Sequence, residues 1–169
     1  MKTLRENVFE TNSSSCHVVT ILSDYELERL KNNEILLAVH MSQGDKTISR
    51  TFNKAAFRSE LEGFQFCHDY ETDEPKYIEI SNNTIESLCD ELWDLTVEDM
   101  KTPVECYYSK VNEILDKYGI IDEDFKDKVI CFLRNFAGKN ILRDIFERMQ
   151  KYTMPNGEVM NFSCIEKEC

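Results

Sequence analysis

The spacing of hydrophobic residues changes along the chain, from alternation in the first half to a helical repeat in the second. Short apolar segments at Val8-Phe9 and at 18–22 indicate strands. The segments 35–41 and 47–52 flank a five-residue, glycine-containing loop, which predicts a hairpin. Further strands are predicted at 64–66 and 76–80, on either side of an acidic loop.

Two capping signals predict short helices between these strands. Ser23 is followed three residues later by Glu26, the pattern of a capping box, and predicts a helix over about residues 24–32. Asn53 is a typical N-cap for a second short helix, which Gly63 closes.

From residue 81 onward, apolar residues recur every three or four positions, as in helices that bury one face. The chain contains four such sets: Ile85, Leu88, Cys89, Leu92 and Leu95; Val104, Tyr107, Val111, Ile114, Leu115 and Tyr118; Phe125, Val129, Phe132, Leu133 and Phe136; and Ile141, Leu142, Ile145, Phe146, Met149 and Tyr152. A turn at 155–158 predicts that the tail ends as a hairpin or an extended strand.

Together these patterns predict one α+β domain over residues 1–169. We expect a small N-terminal antiparallel sheet with short helices in a sheet-rich part (1–80), followed by a helix-rich C-terminal half (81–169). The chain is 41% hydrophobic with 18 aromatic residues, which argues against disorder. No apolar run is long enough to span a membrane, and the N-terminus lacks the pattern of a signal peptide, so we expect a cytoplasmic protein.

Polar residues concentrate in one segment near the N-terminus, Glu10-Thr11-Asn12-Ser13-Ser14-Ser15-Cys16-His17, here called the serine-rich loop. Three interpretations are open. It is a turn whose side chains satisfy their own backbone, a recognition loop in which Asn12, Ser13, Ser14 and His17 contact a partner or a phosphate, or a catalytic centre. A catalytic centre would need His17 beside a serine or Cys16, yet neighbouring strand residues point to opposite faces.

The opening residues 5–17, with the string Phe9-Glu10-Thr11-Asn12-Ser13-Ser14-Ser15-Cys16-His17, resemble the start of small proteins of Firmicutes phages and mobile elements. Those proteins open with Phe-Glu-Thr-Asn-Ser-Ser-Ser-x-His, and this chain has Cys16 where Ser or Thr is expected. The resemblance implies a mobile-element source and a bacterial host. A small acidic protein without a catalytic motif is also similar in type to anti-CRISPR and related anti-defence inhibitors.

Cysteine and histidine residues suggest no metal centre. The seven cysteines are odd in number and form no Cys-x-x-Cys pair, so we expect reduced thiols and no zinc ribbon. Two Cys-His dipeptides, Cys16-His17 and Cys67-His68, supply the ligand types of a zinc site without its usual spacing. We therefore expect no metal and no other cofactor.

Acidic residues concentrate in the middle of the chain. Residues 61–127 contain 5 basic and 19 acidic side chains, a net charge of −14, whereas the whole chain carries −12. Within this segment the predicted helix carries a carboxylate every four residues. This acidic stripe consists of Glu86, Asp90, Asp94 and Glu98, with Glu91 and Asp99 beside it and Asp69, Glu71, Asp73 and Glu74 earlier in the chain.

Two interpretations of the acidic stripe are open: a solvated outer helix face, or a surface that binds a basic partner. Trp93 lies at the edge of the apolar face, and is either a core aromatic or an interface anchor between Asp90 and Asp94. The negative charge disfavours direct binding to nucleic acid. We expect a host nucleic-acid-handling protein, such as a CRISPR effector, to be the partner, with its basic surface bound by the acidic face. The alternatives are a small enzyme or ligand-binding domain centred on the serine-rich loop, and a self-associating structural component.

Overall fold

The computed structural model describes residues 15–39, 46–69, 71–99 and 104–168, and within them the α+β class is confirmed. The strands are β1 Ser15–Ser23, β2 Leu36–Ala38, β3 Lys46–Ile48, β4 Arg50–Phe52, β5 Phe66–His68, β6 Pro75–Tyr77, β7 Gln150–Thr153 and β8 Val159–Glu168. The helices are α1 Asp24–Lys31, α2 Lys54–Gly63, α3 Asn82–Asp99, α4 Val104–Lys117, α5 Glu123–Leu133 and α6 Lys139–Glu147.

The largest sheet joins the two ends of the described chain in the order β3-β1-β8-β7. β1 runs antiparallel to β8 along its whole length and parallel to β3. β7 and β8 form the hairpin that the turn at 155–158 predicts, and Gly157 adopts a φ of 84°, a left-handed conformation that glycine accepts without strain. The helical half therefore returns to complete the N-terminal sheet.

The predicted hairpin of 35–41 with 47–52 is confirmed in its pairing, because β2 and β4 are antiparallel with Leu36 opposite Phe52. The second segment divides at Ser49, however, so that β3 joins β1 in the large sheet. Ser49 holds this division by donating its N–H to the Val19 oxygen at 2.9 Å and placing its hydroxyl 3.0 Å from that of Thr20. The predicted loop at 42–46 lies outside the described residues except for Lys46.

Both capping predictions are confirmed. Ser23 accepts a hydrogen bond from the N–H of Glu26, whose carboxylate accepts from Ser23 in return, and α1 begins at Asp24. The Asn53 side chain accepts from the N–H of Ala56 at the start of α2. These contacts satisfy N–H groups that the first helical turn leaves without partners.

Several element boundaries were wrong, and Phe136 and Met149 of the predicted helical repeats lie beyond the ends of α5 and α6. Phe64 and Gln65 form a turn after α2, so the strand begins at Phe66, and its partner β6 ends at Tyr77 rather than at residue 80. Tyr152, assigned to the last helical repeat, lies in β7 because α6 ends at Glu147. The predicted strand Val8-Phe9 lies outside the described residues.

The β2 strand separates two apolar clusters because both of its faces are buried. Leu36 and Ala38 contribute to a cluster with α2, α3, α4 and α5, whereas Leu37 and Val39 contribute to one beneath the large sheet with α1 and α6. The first cluster includes Phe57 and Trp93 and holds α3 in place. Every helix among the described residues is too short or too polar to span a lipid bilayer.

Candidate partner-binding surface

The α3 helix displays the acidic stripe on its outer side. Its inner side is buried against the larger cluster through residues such as Ile85, Leu88 and Leu92, each fully buried. Glu86, Asp90, Asp94 and Glu98 are all exposed. Carboxylates four residues apart are separated by about 6 Å along a helix, so the four form one continuous ridge.

The α2 helix supplies positive charge to the first half of this ridge. Lys54 Nζ lies 2.7 Å from an Asp90 carboxylate oxygen, and Arg58 lies 3.8 Å from that of Glu86. The hydrogen bond to Asp90 raises the pKa of Lys54, and Asp94 adds a smaller electrostatic contribution. Glu86 and Asp90 are thus partly neutralised within the chain, which the sequence pattern did not reveal.

Asp94 and Glu98 differ from the first half of the ridge, because neither forms an ion pair with another described residue. The last turn of α3 also contains no basic residue. Within the described part of α3, the charge of Glu98 therefore has no basic neighbour in the last turn.

Glu91, which flanks the stripe, has a structural role. Its carboxylate accepts hydrogen bonds from Lys117 Nζ and from the Tyr118 hydroxyl, both at 2.5 Å, and so ties α3 to the end of α4. The hydrogen bond from Lys117, and to a smaller extent that from Tyr118, lowers the pKa of Glu91. Its charge is satisfied inside the molecule.

Trp93 lies in the core, so the interpretation as an exposed interface anchor is wrong. Its side chain is only 7% exposed. Its ring meets that of Phe57 edge-to-face, with centroids 5.5 Å apart and planes at 90°. The acidic stripe therefore has no apolar anchor at this position.

An exposed aromatic pair on the β5–β6 ribbon was missed by the sequence reasoning. Phe66 is 70% exposed and Tyr77 is 56% exposed, although they face each other across the strands with ring centroids 4.7 Å apart. The sequence predicted this strand at 64–66, whereas it lies at 66–68. The pair could not be predicted, because the cross-strand register decides which residues lie opposite each other. Aromatic side chains that remain exposed are enriched at binding surfaces.

The loop that joins β5 to β6 carries further carboxylates. Asp69 accepts hydrogen bonds from the N–H groups of Glu71 and Thr72, which shapes the turn, and Asp73 adopts a φ of 56°. Glu71, Asp73 and Glu74 are exposed and form no ion pair within the described residues. The nearby Lys76 is bound by Asp122 and Asp124 instead.

The serine-rich loop lies mostly outside the described residues, including Asn12, Ser13 and Ser14. His17 lies in β1, half-buried, opposite Glu166 of β8 and Lys46 of β3 in the strand register. Its position in a paired strand places it at the sheet rather than in a loop. The enzyme and recognition-loop interpretations stay predictions.

The two Cys-His dipeptides lie in different sheets, His17 in the large sheet and Cys67-His68 in the β5–β6 ribbon. Cys67 is buried and His68 is exposed, as expected for neighbours in a strand. Within the described ranges, no group of three His, Cys, Asp or Glu side chains is arranged to hold a metal ion.

No protein-family model, curated protein or solved structure matches this chain.

Proposed function

We propose that this protein acts by binding, and that its acidic surface docks on a basic surface of a partner protein. The acidic surface comprises the α3 stripe, with Asp94 and Glu98 as its strongest part. The observation that carries the proposal is that these two carboxylates are exposed and form no ion pair among the described residues, with only a minor electrostatic interaction between Lys54 and Asp94. A partner's Lys or Arg side chains would supply the missing charge.

A basic groove that holds nucleic acid is the kind of surface that fits. One DNA strand offers a phosphate about every 3.4 Å, whereas the stripe offers a carboxylate about every 6 Å. Ion pairs with α2 also reduce the net negative charge at two of the four carboxylates, Glu86 and Asp90. Broad electrostatic attraction, rather than a copy of the phosphate spacing, is therefore the mode of binding that we propose.

The biological role that we propose is inhibition of a host effector on behalf of a mobile element. The resemblance of residues 5–17 to proteins of Firmicutes phages and mobile elements supports this role. Occupying a nucleic-acid-binding groove would block the effector by simple competition and would require no catalytic residue in the inhibitor.

The test is a pull-down from a nuclease-treated Firmicutes lysate with three tagged proteins. These are the wild type, the variant Asp94→Lys with Glu98→Lys, and the control Glu28→Lys with Glu147→Lys. The control makes the same change in net charge at exposed carboxylates of α1 and α6. We expect one nucleic-acid-handling protein to be recovered with the wild type and the control and lost with the α3 variant.

With the purified pair, the α3 variant should associate about tenfold more slowly at low salt and show a weaker salt dependence. Equal recovery by all three proteins would contradict the acidic-surface proposal. Recovery of no protein above background by the wild type would also contradict it.

A further inference from the structure

A groove lies between the segment that follows β6 and the turn that joins α4 to α5. It has a volume of about 290 Å³. Six of the residues that line it are Ile78, Glu79, Ile80, Ile120, Ile121 and Asp122. It lies at the foot of the β5–β6 ribbon, next to the exposed Tyr77.

The turn at the end of α4 gives the groove its apolar side. Gly119 has a φ of 71°, and the N–H of Ile120 donates to the Leu115 oxygen at 3.1 Å, which ends the helix in a left-handed turn. Ile120 is consequently buried, whereas Ile121 is 82% exposed. Opposite them, Ile78 and Ile80 are half-buried against the larger cluster.

The other side of the groove offers an open backbone edge. The N–H groups of Ile78 and Ile80 both donate to Gln65, the first to its backbone oxygen at 2.9 Å and the second to its side-chain oxygen at 3.0 Å. Alternate residues that face the same neighbour indicate an extended chain, so the N–H of Glu79 points the opposite way. Among the described residues this N–H has no hydrogen-bond partner. Such an edge is a template for an added strand.

The charge around the groove is negative, which favours a positively charged added strand. The Glu79 side chain is exposed and forms no ion pair with another described residue. The Glu123 side chain, next to the turn, is 81% exposed and forms an ion pair at 3.7 Å with Lys126, a cation that Asp116 binds more closely at 2.9 Å. Lys76 is already bound to Asp122, so Lys76 is not available to neutralise the other carboxylates at the groove.

We propose that this groove binds a short extended segment of a partner in which Lys or Arg alternates with aliphatic residues. The segment pairs with the backbone of Glu79, packs its aliphatic side chains on Ile80 and Ile121, and places its cations beside the Glu79 carboxylate. This inference rests on the proposed function, because it names one element of the basic partner that the acidic protein would recognise.

The test is an NMR titration of the ¹⁵N-labelled chain with the acetylated and amidated peptide Lys-Val-Lys-Val-Lys, and with Glu-Val-Glu-Val-Glu as a control peptide. We expect the basic peptide to shift the amide signals of residues 78–81 and 119–122, and the acidic peptide to leave them unchanged. The chain of 19.9 kDa is small enough for such spectra.

Two exposed substitutions, Glu79→Lys and Ile121→Ser, should each weaken peptide binding about tenfold, through lost charge attraction and lost apolar contact respectively. Ile48→Ser is the matched control, because Ile48 is 67% exposed on β3 in a different sheet. It should leave the affinity unchanged.

Absence of shifts at 78–81, shifts confined to the amide signals of α3, or equal affinity of all variants would overturn the groove proposal. Its failure is distinguishable from failure of the proposed function. Loss of the partner by the Asp94, Glu98 variant without groove shifts would refute only the groove. Groove binding together with undiminished partner capture by that variant would refute only the role of the acidic stripe.

Discussion

Replacing Trp93 by alanine tests whether this side chain stabilises the fold from within the core. Trp93 is 7% exposed and packs edge-to-face on Phe57. Removing roughly 200 Å² of buried aromatic surface costs about 5 kcal/mol at about 25 cal/mol per Å². Measured losses for such core truncations are about 3–5 kcal/mol. Since a domain is stable by only about 5–15 kcal/mol, we expect Trp93→Ala to lose a large part of the free energy of unfolding.

The measurement is urea unfolding followed by circular dichroism, because Trp93 is the only tryptophan and its removal abolishes the fluorescence signal. With a slope of about 2 kcal/mol/M, the loss lowers the midpoint by about 1.5–2.5 M. Trp93→Phe retains an aromatic ring and should lose only about 1–2 kcal/mol. A midpoint for Trp93→Ala within about 0.3 M of the wild type would refute the placement of Trp93 in the core.

Four further predictions concern buried or paired polar groups. Ser163→Ala should leave the free energy of unfolding unchanged or raise it by up to about 1 kcal/mol, because the Ser163 hydroxyl is buried without a hydrogen-bond partner among the described residues. Asn161→Ala should lower the free energy of unfolding by about 1–3 kcal/mol, because the Asn161 amide is buried and donates a hydrogen bond to Asp24 at 2.8 Å. Urea unfolding measures both variants. Equal free energies of unfolding for Ser163→Ala and Asn161→Ala would contradict these two predictions. The hydrogen bond from Asn161 lowers the pKa of Asp24 below its usual 3.8, so its stabilisation is present above about pH 4 and lost as the pH falls through the lower folded value. Asp24→Asn should therefore flatten the decline in stability below pH 4, and an unchanged acid profile would argue against it. Burial raises the pKa of Cys89 to about 11, so iodoacetamide at pH 8 should label the exposed Cys106 well before Cys89, as peptide mass spectrometry would show; equal labelling would contradict the burial of Cys89.

Elements with a local cause were predictable. The cap residues Ser23 and Asn53 start their helices where the sequence places them, because an N-cap depends on hydrogen bonds within one turn. The four helical repeats after residue 81 correspond to α3 through α6, since a 3.6-residue period is a property of the helix alone. The exposed positions of the acidic stripe follow from the same period.

Features that depend on a distant partner were not predictable. The split at Ser49 needs the oxygen of Val19, thirty residues away, to accept its hydrogen bond. The pairing of β1 with β8 joins segments more than a hundred residues apart, and no local pattern specifies such a partner.

The candidate surface shows the same distinction between features with a local cause and features that depend on a distant partner. Composition and spacing predicted that the middle of the chain is acidic and that four carboxylates share one side of α3. Only the packing of α2 against α3 brought Lys54 to Asp90, and only the packing of Phe57 placed Trp93 in the core. Charge and helical period are properties of neighbouring residues. The effective charge of a surface and the exposure of one aromatic ring depend on which elements lie against it, and these are decided by the tertiary fold.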